Sequence, residues 1–247
     1  MPPGRLRRGH LARSAWQFPP STTPGTRVRL PCEGVGGWAS RYRLAVPRNR
    51  GREGGVIVES ADGLLNGRLL SASEVCGSPS AVPAVAGVYG WWFDEVPGGV
   101  PVDGCVRRDR WTLLYVGISP KRPPVNGRPP SRQTARDRIR YHFRGNAEGS
   151  TLRLTLGVLL GLELRRVGSG TRRTFASQEV ALSEWMACHA RVSVAIHEEP
   201  WVLESRLIGE LVLPLNLDQS GHPFRSVLSA MRSAAKARAV ELPVALD

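Results

Sequence analysis

The chain has no apolar run of the roughly 18–20 residues that a bilayer crossing requires. Its first eleven residues are basic, but they are not followed by the apolar stretch that marks a secretory signal. These absences argue against a membrane protein and against a secreted one. We therefore expect a soluble, cytoplasmic protein without a membrane partner.

Cysteine is scarce, and its four occurrences lie far apart, at Cys32, Cys76, Cys105 and Cys188. No two of them have the short spacing of a zinc finger or of a redox pair. We expect all four to be free thiols. Internal repeats are also absent, which argues against a repeat architecture.

Lysine is nearly missing from a strongly basic chain, because the net charge of +13 includes only two lysines, Lys121 and Lys236. Arginine suits phosphate recognition, although a GC-rich genome would also raise its frequency. The distribution is more informative than the total. Residues 121–144 carry eight basic residues and one acidic residue, whereas residues 81–247 carry 22 and 16. This one window therefore predicts a surface that faces a polyanion.

No acidic residue precedes Glu33, and residues 1–55 mix Arg, Pro, Gly and Ser without a clear hydrophobic period. That composition is typical of a disordered basic arm. The arm could assist DNA binding electrostatically or be an inert leader. From residue 56 the pattern indicates a folded domain, which we expect to span 56–247 and to end in a C-terminal helical extension.

The order of predicted elements indicates the fold class. β-Branched and aromatic runs predict strands over residues 56–58, 88–93, 111–118 and 192–196. Capping signals and apolar spacing predict helices after Ser71, over 134–143, after Ser150, over 177–190, after Pro200 and over 223–239. Strands first and then mostly helices indicate an α+β fold with a small antiparallel sheet.

Three sets of residues could carry chemistry. Glu204 lies on the apolar face of its predicted helix, where a carboxylate needs either a salt bridge to an arginine or a bound cation. Arg138 and His142 are four residues apart and share a helix face, which could bind a phosphate or be an ordinary solvated face. Tyr89 and Tyr115 each have glycine neighbours that leave room for a ligand, but they could simply pack a sheet.

Together these residues resemble a known family. Gly87-Val88-Tyr89 resembles the GIY element of GIY-YIG nucleases, and Tyr115-Val116-Gly117 resembles the YIG element. Residues 135–142 are similar to the arginine-bearing helix that follows YIG in these nucleases, and the comparison singles out Arg138. The pairing of Arg138 with His142 is similar to the arrangement in restriction-enzyme members.

Glu204 and Asn216 match the glutamate and the polar loop residue that come later in the family pattern. The sequence departs from that pattern in two places. Twenty-five residues separate Tyr89 from Tyr115, more than in many members, and Ile118 and Ser119 occupy the region where a lysine often follows YIG. The second departure puts in doubt how the nucleophile is activated.

The resemblance implies a small α+β sandwich in which a sheet of about three antiparallel strands is flanked by helices. It further implies that Glu204 holds one divalent cation, Mg²⁺ or Mn²⁺, and that Arg138 neutralises charge on the scissile phosphate. Tyr89 would accept a proton from the attacking water or orient it, with Tyr115 orienting the same group. His142 would assist proton transfer or contact the phosphate, and Asn216 would brace the site.

We therefore expect the protein to be a metal-dependent endonuclease that hydrolyses phosphodiester bonds in nucleic acid, with DNA as the expected substrate. Four arginines of the basic window, Arg132, Arg136, Arg140 and Arg144, are expected to contact phosphates around the cut site. Three alternatives remain open. The chain could be an inactive DNA-binding or structure-recognition module of the same fold, a ribonuclease, or a basic interaction protein whose tyrosines and Glu204 are structural.

Overall fold

The structure, a computed structural model, describes residues 61–124, 126, 129 and 131–245. The predicted arm over 1–55 and the predicted strand over 56–58 lie outside these residues. The helices are α1 (Asp62–Leu65), α2 (Ala72–Cys76), α3 (Ala135–Arg144), α4 (Thr151–Leu159), α5 (Gln178–His189), α6 (Pro200–Glu210) and α7 (Phe224–Glu241). The strands are β1 (Gly87–Phe93), β2 (Arg107–Arg108), β3 (Trp111–Ser119), β4 (Arg165–Val167), β5 (Arg172–Thr174) and β6 (Ala190–Ile196).

The main sheet has the strand order β2-β3-β1-β6, and each neighbouring pair is antiparallel. Strand β1 lies between β3 and β6, and all seven of its residues are buried. The expected α+β fold with a small antiparallel sheet is confirmed. The three long strands are those that the sequence predicts, and the two-residue β2 adds a fourth.

Side chains of β1 alternate between two apolar clusters, one on each face of the sheet. Tyr89, Trp91 and Phe93 belong to the larger cluster, which includes buried residues of α3, α4 and α5. Val88 and Trp92 belong to the smaller cluster, together with buried leucines of α6. Burial on both faces explains why β1 is apolar along its whole length, and it leaves helices on either side of the sheet.

Local signals in the sequence define where the longer helices begin. The Thr134 hydroxyl accepts a hydrogen bond from the Asp137 N–H, and the Asp137 carboxylate accepts one from the Thr134 N–H, so that α3 starts with a capping box. Ser150 caps α4 through the Arg153 N–H, and Pro200 opens α6. These predicted starts are confirmed. Within the described residues, no helix has both the length and the apolar character needed to cross a bilayer.

The sequence did not predict the β4–β5 hairpin. Its strands have three residues each and are rich in arginine, so they show no usable alternation. The hairpin is held by the distant C-terminal segment, where Val167 forms a β-bridge with Ala245 and Arg166 Nη2 donates to the Leu242 carbonyl at 2.9 Å. Contacts between segments so far apart in the chain produce no recognisable pattern in the local sequence.

A buried arginine connects the three helices that support one side of the sheet. Arg153 of α4 is 0% exposed, and its Nη2 lies 2.6 Å from the Glu179 carboxylate of α5. Its Nη1 donates to the carbonyls of His142 and Phe143 at the end of α3. Because every nitrogen of this guanidinium has a protein partner, the buried charge is compensated.

We expect Arg153→Leu to lower the free energy of unfolding by about 3–5 kcal/mol, since the variant leaves the Glu179 carboxylate partly buried and unpaired. Urea unfolding followed by circular dichroism measures this loss. Arg206→Leu is the control, because Arg206 pairs with Glu210 on the exposed face of α6 and should cost no more than about 1 kcal/mol. Equal losses in the two variants would contradict the role given to Arg153.

Candidate active site

The two tyrosines of the family-like motifs lie on the same face of neighbouring strands. Tyr89 pairs with Gly117, and Tyr115 lies two residues before Gly117 on β3, so both side chains point to one side. A Cβ atom at Gly117 would lie 2.8 Å from the Tyr89 hydroxyl oxygen. Glycine is therefore required at this position, because any side chain would displace the phenol.

Tyr89 begins a chain of hydrogen bonds that runs into the core. Its hydroxyl lies 3.0 Å from His142 Nε2, and His142 Nδ1 lies 2.7 Å from the Ser150 hydroxyl. Burial, reinforced by the charges of Arg138 and Arg153, lowers the pKa of His142 well below its usual value. The imidazole is therefore neutral. One ring nitrogen donates and the other accepts, so Nε2 can either donate to Tyr89 or accept its proton.

Tyr89 itself is a protonated phenol at neutral pH. Burial and the neighbouring Tyr115 raise the pKa of Tyr89 well above 10, and Arg138 offsets this effect only in part. Burial also raises the pKa of Tyr115, whose hydroxyl interacts with Thr151 at the start of α4. Neither tyrosine is a phenolate in the resting protein. Tyr89 can therefore accept a proton only if it donates its own proton to another group.

Arg138 lies one helical turn before His142 on α3. Its Nη1 donates to the Gly149 carbonyl at 2.7 Å, which fixes one branch of the guanidinium. The charge of Arg138 acts on Tyr89, Tyr115 and His142. A guanidinium held in this way is oriented before a phosphate arrives.

The glutamate from α6 shares a cleft of about 1000 Å³ with both tyrosines and Arg138. Burial and the nearby Asp218 raise the pKa of Glu204 to about 7, against an opposing effect of Lys121. The Glu204 carboxylate has no hydrogen bond or ion pair with any residue that the structure describes. Of the two interpretations of this carboxylate, the geometry therefore favours a cation site over a salt bridge.

The cleft could hold one hard cation but not an all-protein metal cage. In the described part of the chain, no three or more His, Cys, Asp or Glu side chains cluster to hold a metal. Mg²⁺ usually binds one or two carboxylates and fills its remaining positions with waters and substrate phosphate oxygens. The lone, partly buried Glu204 fits that pattern.

Asn216 supports the strand that carries Tyr115. Its Nδ2 donates to the Val116 carbonyl at 2.8 Å, and its Oδ1 accepts from the Val116 N–H at 2.9 Å. Strand β2 pairs only with the first two residues of β3, so the edge at Val116 is otherwise open. The side chain thus acts as a short substitute for a missing strand.

The structure brings together Tyr89, Tyr115, Arg138, Glu204 and Asn216, which all line the cleft. His142 does not line it: this residue is fully buried behind Tyr89, so it can act on a substrate only through Tyr89. The expectation that His142 might contact a phosphate directly therefore finds no support in the geometry.

The four arginines expected to surround the cut site, Arg132, Arg136, Arg140 and Arg144, do not line the cleft. Arg136 Nε donates to the Val82 carbonyl at 2.6 Å, and Arg140 donates to the carbonyls of Val75 and Gly77. These two arginines tie α3 to the α2 region. Arg132 and Arg144 are exposed. Phosphate contact by these four residues stays a prediction.

Five further cations line the cleft: Lys121, Arg122, Arg225, Arg232 and Lys236. The first two belong to the basic window 121–144 that the sequence predicts to face a polyanion, whereas sequence reasoning missed the other three. The last three come from α7, which the sequence indicates only as a basic helical extension. Their spacing of seven and four residues is a helical signal that could have identified a shared face. Asp218, two residues beyond Asn216, was also missed.

A family model described as the GIY-YIG catalytic domain matches residues 87–234, which is more than half of the chain. The chain belongs to the GIY-YIG family. This result confirms the resemblance based on the two tyrosine motifs and places the protein in a nuclease superfamily that acts on nucleic acid. The GIY-YIG match begins at the first residue of β1 and ends within α7. Comparisons with curated proteins and with solved structures returned no match.

The raised pKa of Glu204 gives a test of the cation site that needs no activity. Between pH 4.5 and about 7 the folded GIY-YIG domain keeps a proton that the unfolded chain has lost, so wild-type stability should fall as pH rises through this window. The fall amounts to at most about 3 kcal/mol. Glu204→Gln should remove it, and thermal unfolding in metal-free buffer measures the difference.

Mg²⁺ or Mn²⁺ should restore the stability of the wild-type protein at about pH 8 but should leave Glu204→Gln unchanged, because only the wild type has the carboxylate that binds the ion. Glu210→Gln is the matched control, since Glu210 lies on the same helix but is exposed and paired with Arg206. Parallel pH profiles for wild type and Glu204→Gln would argue against the site.

Proposed function

We propose that the protein is a metal-dependent endonuclease that hydrolyses phosphodiester bonds in DNA. The observation that carries the proposal is the convergence of Tyr89, Tyr115, Arg138 and Glu204 in one cleft, although they come from four different elements. A phenol pair, a fixed guanidinium and an unpaired carboxylate are the groups that phosphodiester hydrolysis needs. Action on chromosomal DNA would occur in the cytoplasm.

Glu204 would hold the divalent cation, Mg²⁺ or Mn²⁺. Such an ion supplies Lewis-acid chemistry, since it neutralises phosphate charge and stabilises the leaving oxygen. Asp218 assists indirectly: its charge repels the ionised Glu204 carboxylate, and a bound cation relieves that repulsion. Binding of the ion therefore becomes more favourable than at an isolated carboxylate.

Arg138 binds the non-bridging oxygens of the scissile phosphate. The Gly149 carbonyl accepts a hydrogen bond from its Nη1, and the Tyr89 hydroxyl also interacts with the guanidinium. The guanidinium has five N–H donors, so donors remain for an anion in the cleft. Because the guanidinium is already oriented, it stabilises the charge that develops on the phosphate without rearranging during the reaction.

Tyr89 takes a proton from the attacking water and passes its own proton to His142. This transfer uses the arrangement in which His142 Nδ1 donates to Ser150 and Nε2 accepts from Tyr89, over the observed 3.0 Å. The low pKa of His142 opposes the transfer while the cleft lacks an anion. A bound phosphodiester brings negative charge that offsets Arg138 and so raises the proton affinity of Tyr89 and His142.

Tyr115 orients the same water from the neighbouring strand, and Asn216 keeps that strand in position. The alternative of a basic interaction protein predicts a Glu204 that is paired and remote from Tyr89. A Glu204 without an ion pair among the described residues, lining the same cleft as Tyr89, favours the nuclease instead. DNA is the substrate that we propose, and RNA is tested beside it.

The main test is cleavage of supercoiled plasmid with Mg²⁺ or Mn²⁺, read as nicked and linear products on a gel. Wild type should cut, and Glu204→Ala should lose at least about 100-fold in rate, because the cation loses its carboxylate. Glu210→Ala is the matched control on the same helix and should cut normally. Structured RNA offered in parallel identifies a ribonuclease, and binding of DNA without any cutting would identify an inactive binding module.

Arg138→Ala should reduce the cleavage rate by about 100–1,000-fold through loss of charge stabilisation at the phosphate, with a smaller effect on DNA binding. Single-turnover kinetics separate the rate from the affinity. Arg140→Ala is the control from the same helix: since its guanidinium is bound to backbone carbonyls, this variant should lower stability and leave the rate nearly unchanged. Equal rates in the two variants would rule out the role of Arg138.

A further inference from the structure

One side of α7 lines the same cleft as the catalytic groups. Five of its residues face the cavity, and we call them the α7 basic face: Arg225, Ser229, Arg232, Ser233 and Lys236. Their spacing of three, four and seven residues places them on one stripe of an α-helix. The row contains three cations, two hydroxyls and no acidic residue, so it offers hydrogen-bond donors to an anion along its whole length.

Among the residues that the structure describes, the three cations of this face form no ion pair. Arg232 is half-buried, and it has no hydrogen bond or ion pair with any residue that the structure describes. Burial lowers the pKa of Arg232 even though Asp218 and Tyr115 oppose the shift. Arg225 contacts only the Ser220 carbonyl, at 3.5 Å. By contrast, Arg238 points to another side of α7 and lies 3.8 Å from Glu163.

The cleft as a whole also has an excess of positive charge. Six basic side chains line it, against the two acidic ones Glu204 and Asp218. A partly buried guanidinium that forms no ion pair with the described residues is stabilised when an anion pairs with it. The α7 basic face is therefore complementary to a polyanion, and less so to a single small anion, because its cations are spread over the twelve residues 225–236.

We propose that the α7 basic face binds the sugar-phosphate backbone of DNA beside the cut site, with Arg232 on the phosphate next to the scissile one. Arg225 and Lys236 then hold phosphates further along the strand. Arg232 lies close to the reacting groups, since it interacts electrostatically with Tyr115 and Asp218. This inference rests on the proposed nuclease function and names the element that holds its substrate.

The length of the row suits such a contact. Twelve residues of α-helix span about 16 Å, and successive phosphates of one strand advance about 3.4 Å along a duplex axis. Because the strand also winds around that axis, a straight helix of this length can contact only a few of its phosphates, which matches the three cations of the α7 basic face. In α3, by contrast, the guanidinium groups of Arg136 and Arg140 are bound to backbone carbonyls.

Binding of a fluorescein-labelled DNA duplex to the full chain, measured by anisotropy over a range of salt concentrations, tests the proposal. EDTA is present, so the assay does not depend on cleavage. The triple variant Arg225→Gln, Arg232→Gln and Lys236→Gln should bind about 10- to 100-fold more weakly near 0.1 M salt. The logarithm of its association constant, plotted against the logarithm of the salt concentration, should have a slope that is shallower by about two to three units. Each lost phosphate contact reduces the steepness of this slope by about 0.9.

The matched control carries Arg107→Gln, Arg172→Gln and Arg238→Gln, three exposed cations that do not line the cleft. It loses the same net charge and should keep the wild-type slope to within one unit. If the triple variant unfolds at a lower temperature than the wild type, the single variant Arg232→Gln replaces it in the test. The slope of the single variant should be shallower than that of the wild type by about one unit.

Equal losses in the α7 variant and the control would overturn the inference while leaving the nuclease proposal intact, provided that the wild type binds DNA. A wild-type protein that neither binds nor cuts nucleic acid would overturn both. Weaker binding by the α7 variant alone supports the inference whether or not the protein cuts DNA.

Discussion

The antiparallel pairing of β1 with β3 is the constraint on which the rest of the molecule depends. It sets Tyr89 opposite Gly117 and brings Tyr115 to the same face, so that two phenols share one side of the sheet. A slip by one residue would turn Tyr89 to the opposite apolar cluster and destroy the site. Burial of every β1 residue, and its second pairing with β6, hold that register.

Helix α3 packs against this sheet, and each of its three faces makes a different set of contacts. Ile139 and Phe143 pack in the main apolar cluster, while Arg140, with Arg136, reaches the carbonyls around α2. The remaining face carries Arg138 and His142 to Tyr89. Because the three faces are fixed relative to one another, the packing of α3 also determines where the active-site guanidinium lies.

Several ionisable groups in and directly behind the cleft are buried, and burial disfavours their charged forms. Burial raises the pKa values of Tyr89 and Glu204 and lowers that of His142, and Arg232 is half-buried without an ion pair to any described residue. A cation at Glu204 and phosphates at Arg138 and Arg232 would relieve these conflicts together. Groups with such shifts tend to cluster at functional sites, and here the cost to the fold is partly offset by buried networks such as that of Arg153.

Much of the fold and the centre of the candidate site could be predicted from the sequence. The strands of β1 and β3, the capped start of α3 and the Pro-opened α6 follow from local spacing and residue type, and the motif residues Tyr89 and Glu204 follow from family resemblance. Each signal lies within a dozen residues, where dihedral preference and side-chain periodicity act directly.

The long-range partners of the charged side chains were decided only by the tertiary structure. Nothing local distinguishes Arg136, which binds the Val82 carbonyl, from Arg232, which faces the cleft. The same holds for Asn216, whose amide completes the edge of β3 at a distance of 100 residues along the chain. Sequence pattern determines which side of an element is polar, but what lies opposite that side depends on the packing of segments far apart in the chain.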